Sequence, residues 1–482
     1  MWTIDRGSDS RHDGRMAADV ASPPPAIDRA HWQDRLRELA ESHDVPGAAL
    51  GIMRWRPDGS DDQVEASYGV LSKATGVEAT TDSLFQIGSI TKVFTTTLVM
   101  QLVEQGRLDL DAPVRDVLPE LHLKDPGAAE QVTVRHLLTH TSGIDGDLFT
   151  DTGRGDDCLE RFVAGLREAA QTHPLGATWS YCNTGFVIAG RVLEKLAGTV
   201  WDTALRQQLL DPLGLERTVT LPEDALLFRT AVGHVSQGGG SPQPARVWTL
   251  GRSSGPAGLV TASVGDVLAF ARMHLAGGRA KDATRVLGEA AVAEMQQPQA
   301  ALPYRARGAD SWGLGWMRLD WDGHFVLGHD GSTIGQAAFL RLLPDRGLAV
   351  ALLTNGGHTD DLYEDLFREI FDELAGVALP PRFEPPATRP GVGIDDHLGT
   401  YERAGTRLEV FTQDGRAMLR TTITGPLAGL EPDPPDLELR PVGPDLFAVR
   451  EPDVETWTPV FFYSLPGGGR YLFMSRATPK VD

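Results

Sequence analysis

The sequence predicts an α/β chain: an antiparallel sheet flanked by helices, interrupted by a helical insertion and followed by an all-β C-terminal domain. Three observations predict it. Apolar residues at helical spacing mark a first and a last helix of the main part. Alternating runs bounded by turn residues follow the first helix and return near residue 325. After a proline-rich stretch the pattern changes to short alternating runs alone.

The elements follow in order. Residues 31–42 are expected as an amphipathic helix with Trp32, Leu36, Leu39 and Ala40 on one face. Residues 48–55 and 63–70 read as strands around a turn at Pro57-Asp58-Gly59. A helix opens at Ser89, runs to about Glu104 and stops at Gly106. Residues 120–245 read as mostly helical and loop-rich, with Tyr181 just ahead of a helix over 185–196. Strand pattern returns at 325–327, leading into His329, and at 336–343 and 348–354 around a turn at Pro344-Asp345-Arg346-Gly347. Residues 361–374 carry Leu362, Leu366, Phe367, Ile370 and Leu374 at helical spacing.

Residues 379–393 hold Pro380, Pro381, Pro385, Pro386 and Pro390, too many for a helix or a central strand. Beyond them come alternating runs at 408–411, 417–420, 437–440, 446–450, 459–463 and 471–475. Their spacing reads as a barrel or sandwich. The expected layout is a disordered tail at 1–28, a main domain at 29–376 with its helical subdomain near 120–245, a linker at 377–394 and a β domain at 395–482.

Net charge is −21, with 66 acidic against 45 basic residues, which argues against nucleic acid or an anionic membrane as partner. Hydrophobic content of 41% suffices for a sizeable core. Two cysteines, Cys158 and Cys182, make no disulfide framework. The first 28 residues lack the apolar run of a secretory signal, and no segment reaches the length of a membrane span. A cytoplasmic protein is expected. The sequence sets no oligomeric state.

Ser89-Ile90-Thr91-Lys92 carries the chemistry. A serine hydroxyl stays protonated at neutral pH and is a poor nucleophile. Residues three apart share a helix face, so the Lys92 amine can approach Ser89. The helix N-terminus adds partial positive charge, which favours a developing alkoxide. Of the six lysines, Lys92 alone has a serine three positions before it. Tyr181-Cys182-Asn183 follows. With seven tyrosines and two asparagines, a chance Tyr-x-Asn is expected roughly 0.03 times. Then comes His329-Asp330-Gly331. A second His-Asp-Gly, His12-Asp13-Gly14, lies in the tail, outside any strand pattern.

In this order the motifs resemble those of the penicillin-recognising serine hydrolases. The branch is that of class C β-lactamases, D-alanyl-D-alanine carboxypeptidases, D-aminopeptidases and related esterases. Leu137-Leu138-Thr139-His140-Thr141-Ser142-Gly143, Gly313-Leu314-Gly315-Trp316 and the run from Gly106 to Val114 are similar to further phrases of it. The resemblance covers about residues 30–375 and implies a β-lactamase-like fold with its site in a cleft between sheet and helical subdomain. The region after 395 resembles the lipocalin-like C-terminal barrel of some members.

The resemblance implies the roles. Ser89 would be the nucleophile, with a helix-cap serine as the plain structural alternative. Lys92 would relay its proton, and Tyr181 would protonate the leaving group. Which of the two is the acylation base stays open. Asn183 would donate to the substrate amide or to Lys92. His329 stands where many relatives carry lysine; it would donate to a substrate carboxylate or steady Tyr181. Gly331 would let substrate lie close along the strand, beside Asp330. The backbone N–H groups of Ser89 and Ser332 would form the oxyanion hole.

Other features take plain readings. His136 and His140, four apart, lack a third metal ligand and read as structural. Cys182 reads as a small buried filler. Gly238-Gly239-Gly240 lacks a P-loop lysine and reads as a loop. Trp248 and Trp316 are candidates for the cleft or the core. Arg470 and Arg476 read as solvated arginines, with recognition of an acidic group as the alternative.

The expected function is a cofactor-independent serine hydrolase or acyltransferase, of esterase or D-peptidase type, that binds a small-molecule or peptide acyl substrate and no metal. One alternative is a penicillin-binding-protein-type thioesterase that cyclises a nonribosomal peptide. Another, of a different class, is a β-lactam-binding sensor without turnover.

Overall fold

A computed structural model describes residues 25–482 apart from 237–239, 307–308 and 430–433. Most of the expected tail, its His12-Asp13-Gly14 motif and most of the triple-glycine loop lie outside the described residues. Helix α1 (Arg29–Ser42) begins where the Asp28 carboxylate accepts from the Ala30 and His31 amides, and it buries Trp32, Leu36, Leu39 and Ala40.

The main sheet has eight antiparallel strands in the order β2-β1-β8-β7-β6-β5-β4-β3. In chain order they are β1 (Gly47–Trp55), β2 (Asp61–Gly69), β3 (Ala300–Ala306), β4 (Ala309–Trp312), β5 (Met317–Trp321), β6 (His324–Thr333), β7 (Gln336–Leu343) and β8 (Leu348–Thr354). Strands β3 to β5 were not expected from the sequence. Successive side chains point to opposite faces, and β8 is buried throughout and apolar from Leu348 to Leu353, because both faces are covered. Leu348, Val350 and Leu352 join the cluster formed with α1 and the last helix. Ala349, Ala351 and Leu353 join the cluster around α2 (Thr91–Glu104).

Helix α2 is buried on every side from Thr91 to Leu102, as a helix through the centre of a core must be. A 3-10 turn at Gly88–Ile90 precedes it, so Ser89 sits in that turn rather than at the first helical position. The helical insertion contributes α3 (Asn183–Ala197), ended by Gly198 in the left-handed conformation, and α4 (Val264–Leu275) follows it and packs on β1 and β8. Helix α5 (Thr359–Ala375) buries all five apolar residues expected of it.

The proline-rich segment runs without regular structure and lies on α5, where Arg368 donates to the Leu379 and Pro380 carbonyls. Beyond it, Tyr401, Leu408, Val410, Phe447, Val460 and Phe462 belong to a separate apolar cluster.

That C-terminal unit has two sheets. Strands β9 (Gly399–Arg403), β10 (Thr406–Gln413), β11 (Arg416–Ile423) and β12 (Leu437–Glu438) form one. Strands β13 (Arg440–Pro441), β14 (Leu446–Val449), β15 (Thr458–Ser464), β16 (Arg470–Phe473) and β17 (Ala477–Pro479) form the other. An isolated bridge at Tyr401 and Lys480 links β9 to the residues after β17. The expected closed, lipocalin-like barrel is therefore not present as one continuous ladder among the described residues. Strands β12 and β13 are two residues each, and Pro441 has no N–H to extend a ladder there.

Two of the places where the C-terminal unit meets the main part lie on α5 and beside Tyr181. On α5, the buried Asp361 carboxylate accepts from the Glu455 and Thr456 amides and from the Thr456 hydroxyl. At the other, the chain around Tyr181 meets the β16–β17 turn: the Tyr181 amide donates to the Ser475 carbonyl at 3.0 Å and the Ala477 amide to Ser180 Oγ at 3.0 Å.

Candidate active site

The turn that carries Ser89 is fixed by backbone-to-backbone packing. Strand β6 passes so close that a Cβ on Gly331 would stand 1.9 Å from the Ile87 carbonyl oxygen and 3.0 Å from the Ser89 nitrogen. Gly88, at φ +50°, faces the other way: a Cβ there would lie 2.5 Å from the Ser332 nitrogen. The expected role of Gly331 is thereby corrected. The space its missing side chain leaves is filled by the nucleophile turn and not by a ligand. Ser332 follows with its side chain exposed and its backbone beside the Gly88-Ser89 pair.

Lys92, one helical turn on, is fully buried. Its Nζ lies 3.0 Å from Ser89 Oγ, 2.7 Å from Asn183 Oδ1 and 2.6 Å from the Ala257 carbonyl oxygen. Burial, reinforced by the Arg476 charge and opposed by Asp147, holds the amine well below its ordinary pKa. A neutral amine has two N–H donors and one lone pair. The amide and carbonyl oxygens can only accept, so they take both donors. The lone pair is left facing the Ser89 hydroxyl.

Tyr181 leads into α3, where Cys182 is the N-cap and its Sγ accepts from the Gly185 amide. His140 holds this segment. In the left-handed region at φ +59°, it accepts from the Ser180 amide through its carbonyl and from the Cys182 amide through Nδ1. Its ring lies 4.3 Å from the Tyr181 ring, centroid to centroid. The Tyr181 hydroxyl is buried near Ser89 but makes no hydrogen bond of standard geometry. Burial pushes its pKa up, against the pull of Ser89 and Arg476, so it stays a phenol. Lys92 Nζ and the Arg476 guanidinium each lie 4.8 Å from the Tyr181 ring centroid.

Asn183 Nδ2 donates to Asp147 Oδ1 at 2.7 Å. Sequence reasoning missed Asp147. It is 7% exposed, and Arg476 grips it bidentately, Nε to Oδ2 at 3.0 Å and Nη2 to Oδ1 at 3.2 Å. Arg403 Nη1 donates to Oδ2 as well. Burial alone would raise the Asp147 pKa, but Arg476, Arg403 and the Asn183 amide hold it well below the usual carboxylate range. Both arginines come from the C-terminal unit. The reading of Arg476 as a solvated surface residue is corrected. Arg470 is exposed, its guanidinium on the Asp396 carbonyl.

His329 lies next to Tyr181, at 6.2 Å between ring centroids, and is 2% exposed. Its Nδ1 is 2.6 Å from the Asp330 carbonyl, which can only accept, so Nδ1 carries the proton and Nε2 the lone pair. Burial and the nearby Lys92 push its pKa down to about 3. The ring is neutral, with an acceptor facing inward. That corrects the expectation that it would donate to a substrate carboxylate. Asp330 turns instead to the fully buried Arg341, whose Nη1 it meets at 2.6 Å, so its carboxylate anchors the strand rather than a substrate.

Among the remaining expectations, His136 closes a capping box with Thr133 and His140 supports Tyr181, both structural positions. Cys182 is 2% exposed and burial pushes its thiol up to about 12, in keeping with a filler. Trp316 is fully buried in the core, and Trp248 packs near Leu84, Val219 and Ala225 with its Nε1 on the Ala231 carbonyl. No helix among the described residues is long and apolar enough to cross a membrane.

An antiparallel sheet flanked by helices, with Ser89 and Lys92 at the head of a buried helix and Tyr181 and Asn183 opposite, defines a serine hydrolase of the penicillin-recognising class. The chain belongs to the beta-lactamase family, whose model matches residues 32–375. It is 50% identical over 381 residues to "Penicillin-binding protein 4" of Amycolatopsis lactamdurans, covering 79% of this chain and 99% of that one. Among solved structures it is similar to SurE, with 31% identity, a TM-score of 0.73 and coverage of 94% of this chain and 99% of that one. SurE with D-Leu matches at a TM-score of 0.72. A D-stereospecific amidohydrolase from Streptomyces sp. matches at 27% identity and a TM-score of 0.56, over 73% of this chain and 100% of that one.

Proposed function

We propose that the chain forms an acyl-enzyme on Ser89 and transfers a peptidyl or aminoacyl group with a D-configured residue at the reacting end. The observation that carries the acyl-enzyme is the buried Lys92 Nζ 3.0 Å from Ser89 Oγ, with the Asn183 and Ala257 oxygens, which only accept, at 2.7 and 2.6 Å. Lys92 takes the Ser89 proton as Oγ bonds to the carbonyl carbon. The oxyanion forms against the backbone N–H groups of Ser89 and Ser332, donors worth roughly 3–4 kcal/mol each in such sites. The bond to the leaving group then breaks, and Tyr181, kept protonated by burial, gives that group its proton. The proton held by Lys92 replaces it. Water or an amine then attacks the acyl-enzyme, and the same groups run in reverse. Asn183 holds the amine, and His329 packs behind Tyr181 as a neutral ring.

The D-configuration rests on likeness to proteins whose own names carry it, the SurE complex with D-Leu and the D-stereospecific amidohydrolase. A second reading is release of a peptidyl thioester by cyclisation. It is favoured by the C-terminal unit reaching Tyr181 and Asp147, where it could hold a long peptidyl chain near the site. The test is a matched set of peptidyl amides and thioesters ending in D-Leu or L-Leu. We expect the D-series to acylate at least about tenfold faster, a preference of 1.4 kcal/mol or more. Equal rates, or faster reaction of the L-series, contradict the stereochemical assignment. Cyclic product from the thioester would favour the second reading over hydrolysis.

A further inference from the structure

Lys92 works as a base only if its lone pair faces Ser89, and that depends on which side of the Asn183 amide it meets. If the amide turned over, an NH2 group would face Lys92. The lone pair would then be drawn to that donor instead of the serine. Asp147 prevents the flip. A carboxylate offers no donor, so the amide must present Nδ2 to it, which leaves Oδ1 for Lys92.

Asp147 is in turn held by the C-terminal unit. The turn between β9 and β10 presses its tip, Arg403-Ala404-Gly405, onto the loop that carries Asp145 and Asp147. The Ala404 amide donates to Asp145 Oδ2 at 2.7 Å, and Arg403 Nη1 bonds Asp147 Oδ2 and the Ala404 carbonyl. Gly405, at φ +78°, supplies the left-handed conformation that the turn needs at its tip. The Arg403 side chain is 13% exposed against 8% for Asp147, so the pair is largely desolvated. Unlike Arg476, Arg403 makes no ring contact with Tyr181 among the described contacts. Its path to the reacting atoms runs through Asp147.

We propose that Arg403 is a positioning residue for the Ser89–Lys92 pair: by fixing Asp147 it sets the Asn183 amide and leaves the Lys92 lone pair to the serine. The inference rests on the acyl-enzyme reading above. It makes the active site a product of two units of the chain, with the hairpin tip completing a base that the main part alone holds loosely. Deletion of the C-terminal unit is a poor test because it would bare Asp145, Asp147 and Asp361 together.

The experiment uses the full chain carrying Arg403→Met or Arg403→Lys, with a fluorophosphonate as probe of Ser89. Folding is checked by circular dichroism and thermal melting. The charged and titratable groups around Asp147 are Arg403 and Arg476 from the C-terminal unit, Asp145 on its own loop, the Lys92 amine on α2, Tyr181 and Cys182. We expect Arg403→Met to lower the Ser89 labelling rate by about 10²-fold, the scale of a small misplacement of a reacting group. We also expect a new loss of rate at acid pH as Asp147 takes up a proton. Arg403→Lys, which restores the charge, should recover at least about tenfold of that rate. In an Asp147→Asn background Arg403→Met should cost almost nothing further. Unchanged labelling by a folded Arg403→Met protein overturns the proposal. So does an equal loss in both variants, which assigns Arg403 to unit docking alone. If the unaltered protein fails to label at Ser89, the acyl-enzyme reading fails instead, and the two failures are distinct.

Discussion

The Arg476 guanidinium lies 4.8 Å from the centroid of the Tyr181 ring, and the Tyr181 amide bonds the carbonyl of the preceding residue, Ser475. A residue near the end of the chain thus touches the proton-transfer group of a site assembled by the main part. Burial does most to lower the Lys92 pKa, and the Arg476 charge adds to it. Arg476 disfavours the protonated amine while Asp147 favours it.

These two influences have opposite signs, which gives the first prediction. Activity needs neutral Lys92, so the rate falls as pH drops through the depressed Lys92 pKa. Arg476→Gln removes a positive charge and makes protonation easier, so the acid limb of kcat/KM moves to higher pH. Asp147→Asn removes a negative charge and moves it to lower pH, with a lower plateau because the Asn183 amide loses its anchor. Profiles of both variants against the unaltered enzyme check the signs. Shifts in the same direction would contradict the account.

Gly331→Ala tests the packing of β6 on the nucleophile turn. Its methyl would meet the Ile87 carbonyl at 1.9 Å, and backbone cannot yield cheaply. A loss of 1–3 kcal/mol in stability is expected, the usual scale of overpacking, with acylation slower by about 10²-fold. Thermal melts and labelling rates measure the two. Wild-type rates would show that the turn moves freely.

Acid stability should carry the mark of the buried histidines, His274 and His329 among them. Burial holds His274 and His329 down to about 3, against about 6.5 when unfolded. The unfolded chain binds more protons between those values. Stability is therefore fully present above pH 6.5 and is lost as pH falls toward 3, at up to about 1.4 kcal/mol per pH unit for each histidine. His274→Gln, remote from Ser89 and packed on Trp316 and Phe270, should flatten the slope of denaturant midpoint against pH. An unchanged slope would contradict the assignment.

The thiols should be inert. Burial pushes Cys182 up to about 12 and Cys158 up to about 11, so neither holds appreciable thiolate at neutral pH. Iodoacetamide should leave the folded enzyme active and both cysteines unmodified by mass spectrometry. Rapid inactivation with Cys182 alkylated would contradict this.

What was legible in the sequence follows physical periodicity. Strands β7 and β8 fall at the residues expected, because largely apolar runs bounded by Pro344 and Gly347 leave little freedom. Helix α5 announces itself through five apolar residues on one face. Strands β3 to β5 were not legible: Pro303 interrupts β3, and β4 and β5 are short, with Asp310, Ser311 and Asp320 breaking their apolar pattern. At the site, Ser89 and Lys92 were legible because three-residue spacing on a helix is a geometric statement. Asp147, Arg403 and Arg476 were not, because loops and a distant hairpin bring them together and no local pattern records it. The adjacent acids Asp145 and Asp147, just after the 137–143 phrase, were the one available signal, and two buried carboxylates do require cations.

The central claim is that Ser89 is a nucleophile activated by a neutral Lys92. Mass spectrometry of the full chain after fluorophosphonate treatment tests it most directly. The account predicts a covalent adduct on the Ser89 peptide, absent from Ser89→Ala and formed roughly 10²–10⁴-fold more slowly by folded Lys92→Ala, the range for loss of a general base. An adduct that persists in Ser89→Ala, or a Lys92→Ala protein that labels at the unaltered rate, would contradict it.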